Sequence, residues 1–517
     1  MKLPSVKLPF AANKTPQSLA FRTRPLTAAV LGTIIEEYDV GMAHVMIVDS
    51  GEKRVYLIQE PPLSEADQGL YSLLMESLYY SLKPIETEDP AAYLDQFIWQ
   101  AAEDLGAVEE VKRSYSSLKY YIFRDSVGYG LIDTLVRDDD IEEISCEGAG
   151  KAVAVVHRRY PQFDWLDTNV QFEDEEALKK FVQRLVQKAG KAITTSVPFV
   201  DAITKENHRL AATLSNEISL PGSTFDMRKF PKEPLSIGHL LAARTISPLL
   251  AAYYWMIMEE KGFVLVIGPT ASGKTTTMNA LITLINPGLK IATVEETPEL
   301  LIPQEHWERL HSRTSYSATA DTRYDVDLFD LAKLTLRLRP DYIVVGETRG
   351  EEISTLFQAA STGHGALSSF HADSPEAALV RMAAPPLNVG TASLILMWSL
   401  LMMNRIRMND GSVVRRALVS KEVGMRGELL DMFKWNPKED LILPTDPMEV
   451  AKKSYRLQTV ANLKGWSADE LAAELAGRAK YLSDIVRSGA YKYADVSAAI
   501  QRFYREKYGG RTTKISD

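Results

Sequence analysis

The segment Gly268-Pro269-Thr270-Ala271-Ser272-Gly273-Lys274-Thr275 constrains this chain more than any other. It has the full GxxxxGK[ST] spacing, and its surroundings suit it. An apolar run over 263–267 precedes it and predicts a strand. A run that opens at Thr276 and reaches 285 predicts a helix, closed by Asn286-Pro287-Gly288. Strand, glycine-rich turn and helix in that order are the parts of a phosphate loop on an α/β layer. The glycines let backbone N–H groups turn inward around phosphate oxygens, and the helix N-terminus adds the positive end of its dipole. Lys274 is expected to reach the β- and γ-phosphates of ATP, and Thr275 to hold Mg²⁺. Gly268 through Thr276 supply the rest of the cradle.

The 517 residues allow three or four domains of ordinary size. With 59 basic against 68 acidic residues the net charge is −9, so the surface as a whole does not favour nucleic acid. The only cysteine is Cys146, which excludes an intrachain disulfide and a cysteine-cluster zinc site and fits a reducing cytoplasm. The most apolar stretches are 246–258, which contains Pro248, and 392–403. Both are too short to cross a bilayer and predict buried helices. No apolar segment follows Lys2, so no signal peptide is expected. Work at a membrane is then expected from the cytoplasmic side, through partners.

Residues 1–30 carry Lys2, Lys7, Lys14, Arg22 and Arg24 with no acid, and four prolines. They predict a flexible basic arm, able to meet an acidic partner or anionic lipid. Residues 31–111 predict a small mixed α/β region. In it two strands, 45–48 and 55–58, flank the turn signal Ser50-Gly51, and a helix covers 71–82. Residues 112–230 predict a second α/β domain, whose acidic stretch 138–144 reads as a solvated helix start or loop. Pro231-Lys232-Glu233-Pro234 predicts a stiff linker. From 235 to 423 strands and helices alternate as in a parallel sheet covered on both faces. The strands expected there are 263–267, 291–294, 342–345 and 365–370, with an exposed loop over 313–324. The remainder, 424–517, is expected to be largely helical, with a capping-box signal at Ser467-Ala468-Asp469-Glu470.

Hydrolysis needs more than a cradle. A carboxylate must orient or deprotonate water, and positive charge must balance the transition state. Two acidic sites directly follow expected strands: Glu295-Glu296-Thr297-Pro298-Glu299, and Glu347 within Val345-Gly346-Glu347-Thr348-Arg349-Gly350. In an open parallel sheet the C-terminal strand ends face the ligand crevice, so both should approach the phosphates held by Lys274. Whether Glu295 or Glu296 points inward stays open. His364 and His371 flank a third expected strand and so belong at its opposite ends, which argues against a shared metal. His371 falls on the ligand-facing end, where two readings stand: a sensor of the γ-phosphate, or a plain packing residue.

The four elements in this order resemble the secretion-ATPase superfamily, the hexameric motors of type II secretion, type IV pili, type IV secretion and archaella. The elements are the phosphate loop, the acidic box from Val294 to Leu300, the Walker B end from Arg339-Pro340-Asp341 through Gly346-Glu347-Thr348-Arg349, and the histidine box from Thr362-Gly363-His364 to His371-Ala372. The resemblance implies an α/β fold: a RecA-like core with a parallel-rich sheet, preceded by an α/β N-terminal domain and followed by a helical C-terminal segment. By the same resemblance Glu347 acts on Mg²⁺ and the attacking water, Glu295 helps position that water, and His371 lies near the γ-phosphate. Arg228, and with it Arg209, closes over the nucleotide from the N-terminal domain. Two departures stand out. Glu296 occupies a position where the family usually has Asp, and the four-cysteine zinc insert usual in bacterial extension motors is absent. The acidic box, the Gly-Glu-Thr-Arg-Gly turn and the C-terminus look more like the archaeal branch.

These readings converge on a cytoplasmic ATPase that assembles as a homo-oligomer, a hexamer by resemblance. It would act on a polytopic membrane platform protein to drive pilus or archaellum assembly, or secretion. The alternative is a ring-shaped nucleic-acid translocase, whose core can share the same sheet and phosphate loop. Net acidity and the histidine box favour the first.

Overall fold

The computed structural model describes residues 32–81, 90–220, 222–313 and 325–508. The basic arm expected over 1–30, and all but the first residue of the loop expected over 313–324, lie outside those residues. The chain divides into two compact units, one ending at Phe230 and the other beginning at Pro231.

The first unit is built on one nine-stranded sheet. Its strands are β1 (Thr33–Val40), β2 (Ala43–Asp49), β3 (Arg54–Gln59), β4 (Ile141–Cys146), β5 (Ala152–His157), β6 (Leu166–Gln171), β7 (Phe199–Ile203), β8 (Arg209–Thr213) and β9 (Thr224–Arg228). Their spatial order is β1-β2-β3-β6-β5-β4-β9-β8-β7. Buried and half-exposed residues alternate along β5 and β6, the pattern of a sheet with one face on a core. Helix Glu175–Lys188 covers that face with Leu178, Val182, Leu185 and Val186, and the Asp174 side chain caps it by accepting from the Ala177 N–H. The two N-terminal regions separated by sequence, 31–111 and 112–230, share this sheet, because Val55 and Tyr56 of β3 pair in parallel with Asp167 and Thr168 of β6. Three helices, Glu65–Ser81, Pro90–Asp104 and Val108–Ser126, enclose a separate small core around Leu74, Ile98 and Ile122.

One expectation fails here. The acidic stretch 138–144 is not a solvated helix start: its second half is β4, and Asp138 is 3 % exposed. The Asp138 carboxylate accepts hydroxyl hydrogen bonds from Tyr38 and Tyr56, each at 2.6 Å. Partners that lie 100 and 82 residues away satisfy the carboxylate, and local charge density does not foretell them.

The second unit carries its own nine-stranded sheet. Its strands are β10 (Phe263–Ile267), β11 (Ile291–Glu295), β12 (Trp307–His311), β13 (Tyr342–Thr348), β14 (Gly365–Phe370), β15 (Met397–Arg407), β16 (Val413–Val423), β17 (Leu429–Asn436) and β18 (Leu441–Leu443). The order is β12-β11-β13-β14-β10-β15-β16-β17-β18, parallel from β12 through β15 and antiparallel from there on. This parallel-rich sheet is the RecA-like core of an α/β chain. β10, β11 and β14 are buried at every position, and β10 is accordingly apolar throughout. Alternate residues of β10 serve opposite cores: Val264 and Val266 one, Phe263, Leu265 and Ile267 the other.

Helix Pro248–Glu259 is buried nearly all round and lies in the first of these cores with Trp255. Helix Ala468–Arg487 packs on it, and both halves of the Ser467/Glu470 capping box are formed. The apolar stretch 392–403, expected as a helix, is mostly β15. Periodicity cannot separate a buried strand from a buried helix over so short a run. The region 424–517 is likewise not helical from its start: β17 and β18 extend the sheet before the helices begin at Pro447.

Candidate active site

Four neighbouring parallel strands, β11, β13, β14 and β10, bring their C-terminal ends to one edge. There they deliver Glu295, Glu347, His371 and the phosphate loop respectively. β14 lies between the loop strand and the Glu347 strand, so His371, the residue after β14, falls between Lys274 and Glu347. Its Nδ1 is 3.4 Å from Lys274 Nζ and its Nε2 is 2.7 Å from Glu347 Oε1.

The loop itself is shaped by its glycines. Gly268 and Gly273 have φ of +151° and +92°. A Cβ on Gly268 would come within 2.2 Å of the Met403 carbonyl oxygen. Only glycine lets the backbone turn this tightly and leave the space in front of helix Lys274–Ile282 open. Ala271 also adopts a positive φ, +61°, which costs energy for a residue with a Cβ and marks the loop as held in shape by its surroundings. Lys274, 8 % exposed, donates from Nζ to the carbonyls of Gly268 at 3.1 Å and Pro269 at 2.9 Å. Ser272 Oγ is buried with no hydrogen-bond partner among the described residues. Thr275 and Thr276 follow, both half-buried at the helix start.

A bulge in β13 aims Glu347. Val345 pairs with Ser368 and Thr348 with Phe370, so one extra residue is accommodated at Gly346–Glu347. Ser369 Oγ donates to the Gly346 carbonyl at 2.7 Å and holds the bulge. Gly346 has no side chain for a reason: a Cβ there would lie 3.2 Å from Cγ of Glu295. Burial pushes the Glu347 carboxyl up, but Arg349, with His371 and Lys274, outweighs it and holds the group below the ordinary carboxylate range. Burial and the nearby Lys274 hold His371 below the usual imidazole value.

The ambiguity in the acidic box resolves. Glu295 is 2 % exposed and points inward, whereas Glu296 is exposed. Glu295 Oε1 accepts the backbone N–H groups of Glu299 at 2.7 Å and Leu300 at 2.8 Å. Its Oε2 is buried with no partner among the described residues. Burial pushes this carboxyl up to about 7, against the pull of those two N–H donors.

His364 sits at the other end of β14. Its Nδ1 lies 2.9 Å from Thr362 Oγ1 and 3.3 Å from the Ala359 carbonyl, so it belongs to the turn before the strand. Arg228 and Arg209 belong to the first unit, where they are direct partners on the antiparallel strands β9 and β8. Arg209 pairs with Asp201 at 2.6 Å.

Two residues at the site escape sequence reasoning. Arg415 of β16 lies against the loop: its Nε donates to the Ala271 carbonyl at 3.3 Å, and a Cβ on Gly273 would touch its Cδ at 3.1 Å. It borders a hollow of about 230 Å³ that Thr276, Thr277, His239 and Leu240 also line. No motif spacing announces it. Arg349 is the second, and stands in plain view within the Gly-Glu-Thr-Arg-Gly turn.

No group of three or more His, Cys, Asp or Glu able to hold a metal occurs among the described residues. Magnesium does not need one. It keeps several waters and takes one or two protein oxygens together with phosphate oxygens, a demand that Thr275 and Glu347 meet in chemical type.

The profile of the family described as "Type II/IV secretion system protein" matches residues 134–408, just over half of the 517-residue chain. The chain belongs to that family. It is 29 % identical over 492 residues to an uncharacterized protein of Methanocaldococcus jannaschii, covering 89 % of this chain and 86 % of that one. A second uncharacterized protein of the same organism is 37 % identical over 255 residues, covering 48 % of this chain and 91 % of its own length. Among solved structures, the ATPase DotB of Legionella pneumophila aligns with a TM-score of 0.42 at 16 % identity, over 72 % of this chain and 89 % of DotB. The phosphate loop, acidic box, Walker B end and histidine box of this family chain all fall within the matched region. No helix among the described residues is long and apolar enough to cross a membrane.

Proposed function

We propose that this secretion-family chain is an ATP-hydrolysing motor. It works as a homo-oligomeric ring, a hexamer, and acts on a polytopic membrane platform protein to drive assembly of pilus-like filaments or secretion. The observation that supports this most is the convergence of Glu295, Glu347, His371 and Lys274 at the C-terminal ends of four adjacent parallel strands.

The triphosphate replaces the carbonyl partners of Lys274, whose ammonium then neutralises phosphate charge, while loop N–H groups and the Ser272 hydroxyl donate to phosphate oxygens. Thr275 and Glu347 would hold Mg²⁺, which when bound would offset the negative charge of the phosphates. Glu347 receives the proton of the attacking water as its oxygen bonds to the γ-phosphorus and the bond to the ADP oxygen breaks. Glu295 orients that water through its unpaired oxygen. His371 donates to the γ-phosphate. The hollow beside Thr276 and Arg415 receives the nucleoside. Anionic lipid assists docking at the membrane.

Steady-state Mg-ATP hydrolysis tests this, titrated with anionic lipid vesicles and, in parallel, with single- and double-stranded DNA. Turnover that Lys274→Ala abolishes and lipid stimulates supports the reading. Stimulation by DNA alone replaces it with a nucleic-acid translocase.

A further inference from the structure

Arg349 has no role in the chemistry outlined above, yet it is built into the site with unusual care. Its backbone N–H and that of Gly350 both donate to Glu352 Oε1, at 2.5 and 2.7 Å. Glu352 is 6 % exposed, so a buried carboxylate locks the turn that carries Arg349. From this fixed base the guanidinium reaches two acids at once. Nη2 donates to Glu347 Oε2 at 2.6 Å, and Nη1 lies 3.6 Å from Glu296 Oε2, within ion-pair range. Arg349 thus holds Glu347 through Oε2, while Oε1, buried and without a hydrogen-bond partner among the described residues, lies 2.7 Å from His371 Nε2. His371 is in turn held by Arg381, whose Nη1 donates to its carbonyl at 2.8 Å.

We propose that Arg349 is a positioning residue that ties Glu296 to Glu347, so that the exposed carboxylate of the acidic box acts on hydrolysis through the guanidinium. The inference rests on the ATPase reading and deepens it. Exposed ion pairs add little to stability, and both Arg349 and Glu296 are more than half exposed, at 60 % and 55 %. The value of the bridge is directional. A planar fork seated between two carboxylates fixes the rotamer of each, and a nucleophile-activating group loses much of its effect when it drifts by about 1 Å. The bridge also gives a purpose to the longer side chain at 296: the extra methylene extends the reach of that carboxylate toward Arg349.

The test is a double-mutant cycle on kcat, with KM for ATP and the affinity for ADP measured alongside. Arg349→Gln should lower kcat about 10-fold or more, with KM and ADP affinity unchanged within about two-fold. Glu296→Gln should lower kcat less, about three-fold, and the double variant should be no slower than Arg349→Gln alone. Arg349→Lys, which keeps the charge and loses the fork, should fall between wild type and Arg349→Gln. If Arg349→Gln does not fold, Glu296→Gln combined with Arg349→Lys runs the same cycle. Additive losses, an unchanged kcat, or a change in affinity alone overturns the proposal. A wild-type chain that hydrolyses no ATP sinks the ATPase reading and the bridge together, whereas an active wild type with additive variants sinks only the bridge.

Discussion

Two buried carboxylates in the second unit show how the same burial serves opposite ends. Glu422 of β16 is 0 % exposed and Glu295 at the end of β11 is 2 % exposed; burial pushes both carboxyls up. Glu422 is satisfied on both oxygens. Tyr253 donates to Oε1 at 2.8 Å, Ser454 donates to the same oxygen, and the Arg456 N–H donates to Oε2 at 3.2 Å. Those donors come from helix Pro248–Glu259 and from the junction of two C-terminal helices, so Glu422 fastens the helical layer to the sheet. Glu295 keeps one oxygen without a partner among the described residues. A buried polar atom without a partner is expensive, so Glu295 Oε2 has capacity for a further hydrogen bond that Glu422 lacks. The strands explain the difference. Parallel strands send all their C-terminal ends to one edge, whereas antiparallel strands alternate ends and gather no such edge.

The comparison breaks most readily at the cradle. Lys274→Ala should reduce Mg-ATP hydrolysis at least about 100-fold, because a fixed charge on the phosphates is lost; wild-type turnover in that variant removes the basis for the active edge. Next, Glu347→Gln should retain Mg-ATP binding while kcat falls about 100-fold or more, the scale of a lost general base. Loss of nucleotide binding in that variant would make Glu347 structural, as Glu422 is.

On the structural side, Glu422→Ala leaves Tyr253, Ser454 and the Arg456 N–H without their acceptor. It should destabilise the fold by about 3 kcal/mol or more, read by urea unfolding, with nucleotide affinity of the folded protein unchanged. Glu295 sharpens the contrast through pH. Its folded value of about 7 lies above the ordinary 4.5, so between those values the folded chain holds a proton that the unfolded chain has released. Stability contributed at this site therefore falls as pH rises through that window, by about 1–3 kcal/mol, and levels off above it. Glu295→Gln should remove this part of the pH slope in urea titrations; an unchanged slope means that Glu295 is already ionised in the fold. The smallest effect is expected at the far end of β14, where His364→Ala should leave kcat within about two-fold, since its partners belong to the turn before the strand. A large loss there would mean that the two ends of β14 are coupled.

Much of the candidate edge is legible in the amino-acid sequence. The strands 263–267 and 365–370 and the capping box at Ser467 lie where periodicity and local signals put them. What escapes is of two kinds. The stretch 392–403 is apolar without a period, so β15 cannot be told from a helix, and with β15 goes the antiparallel half of the sheet. Asp138, among three consecutive acids and two more nearby, looks solvated because the tyrosines that bury it are far away in the chain.

By itself the sequence determined the local geometry: a loop that only glycine can form at Gly268, a lysine and two threonines at a helix start, and carboxylates toward the C-terminal ends of strand-forming runs. These follow from backbone conformation and from the spacing of neighbouring residues. Tertiary structure alone decided that Glu295 faces inward and Glu296 outward, that Arg349 spans Glu347 and Glu296, and that Arg415 rests against Ala271 across 144 residues of chain. Side-chain direction at a strand end depends on sheet register and bulges, and contacts between distant strands depend on the order in which the sheet assembles. Neither is encoded in any local run of residues.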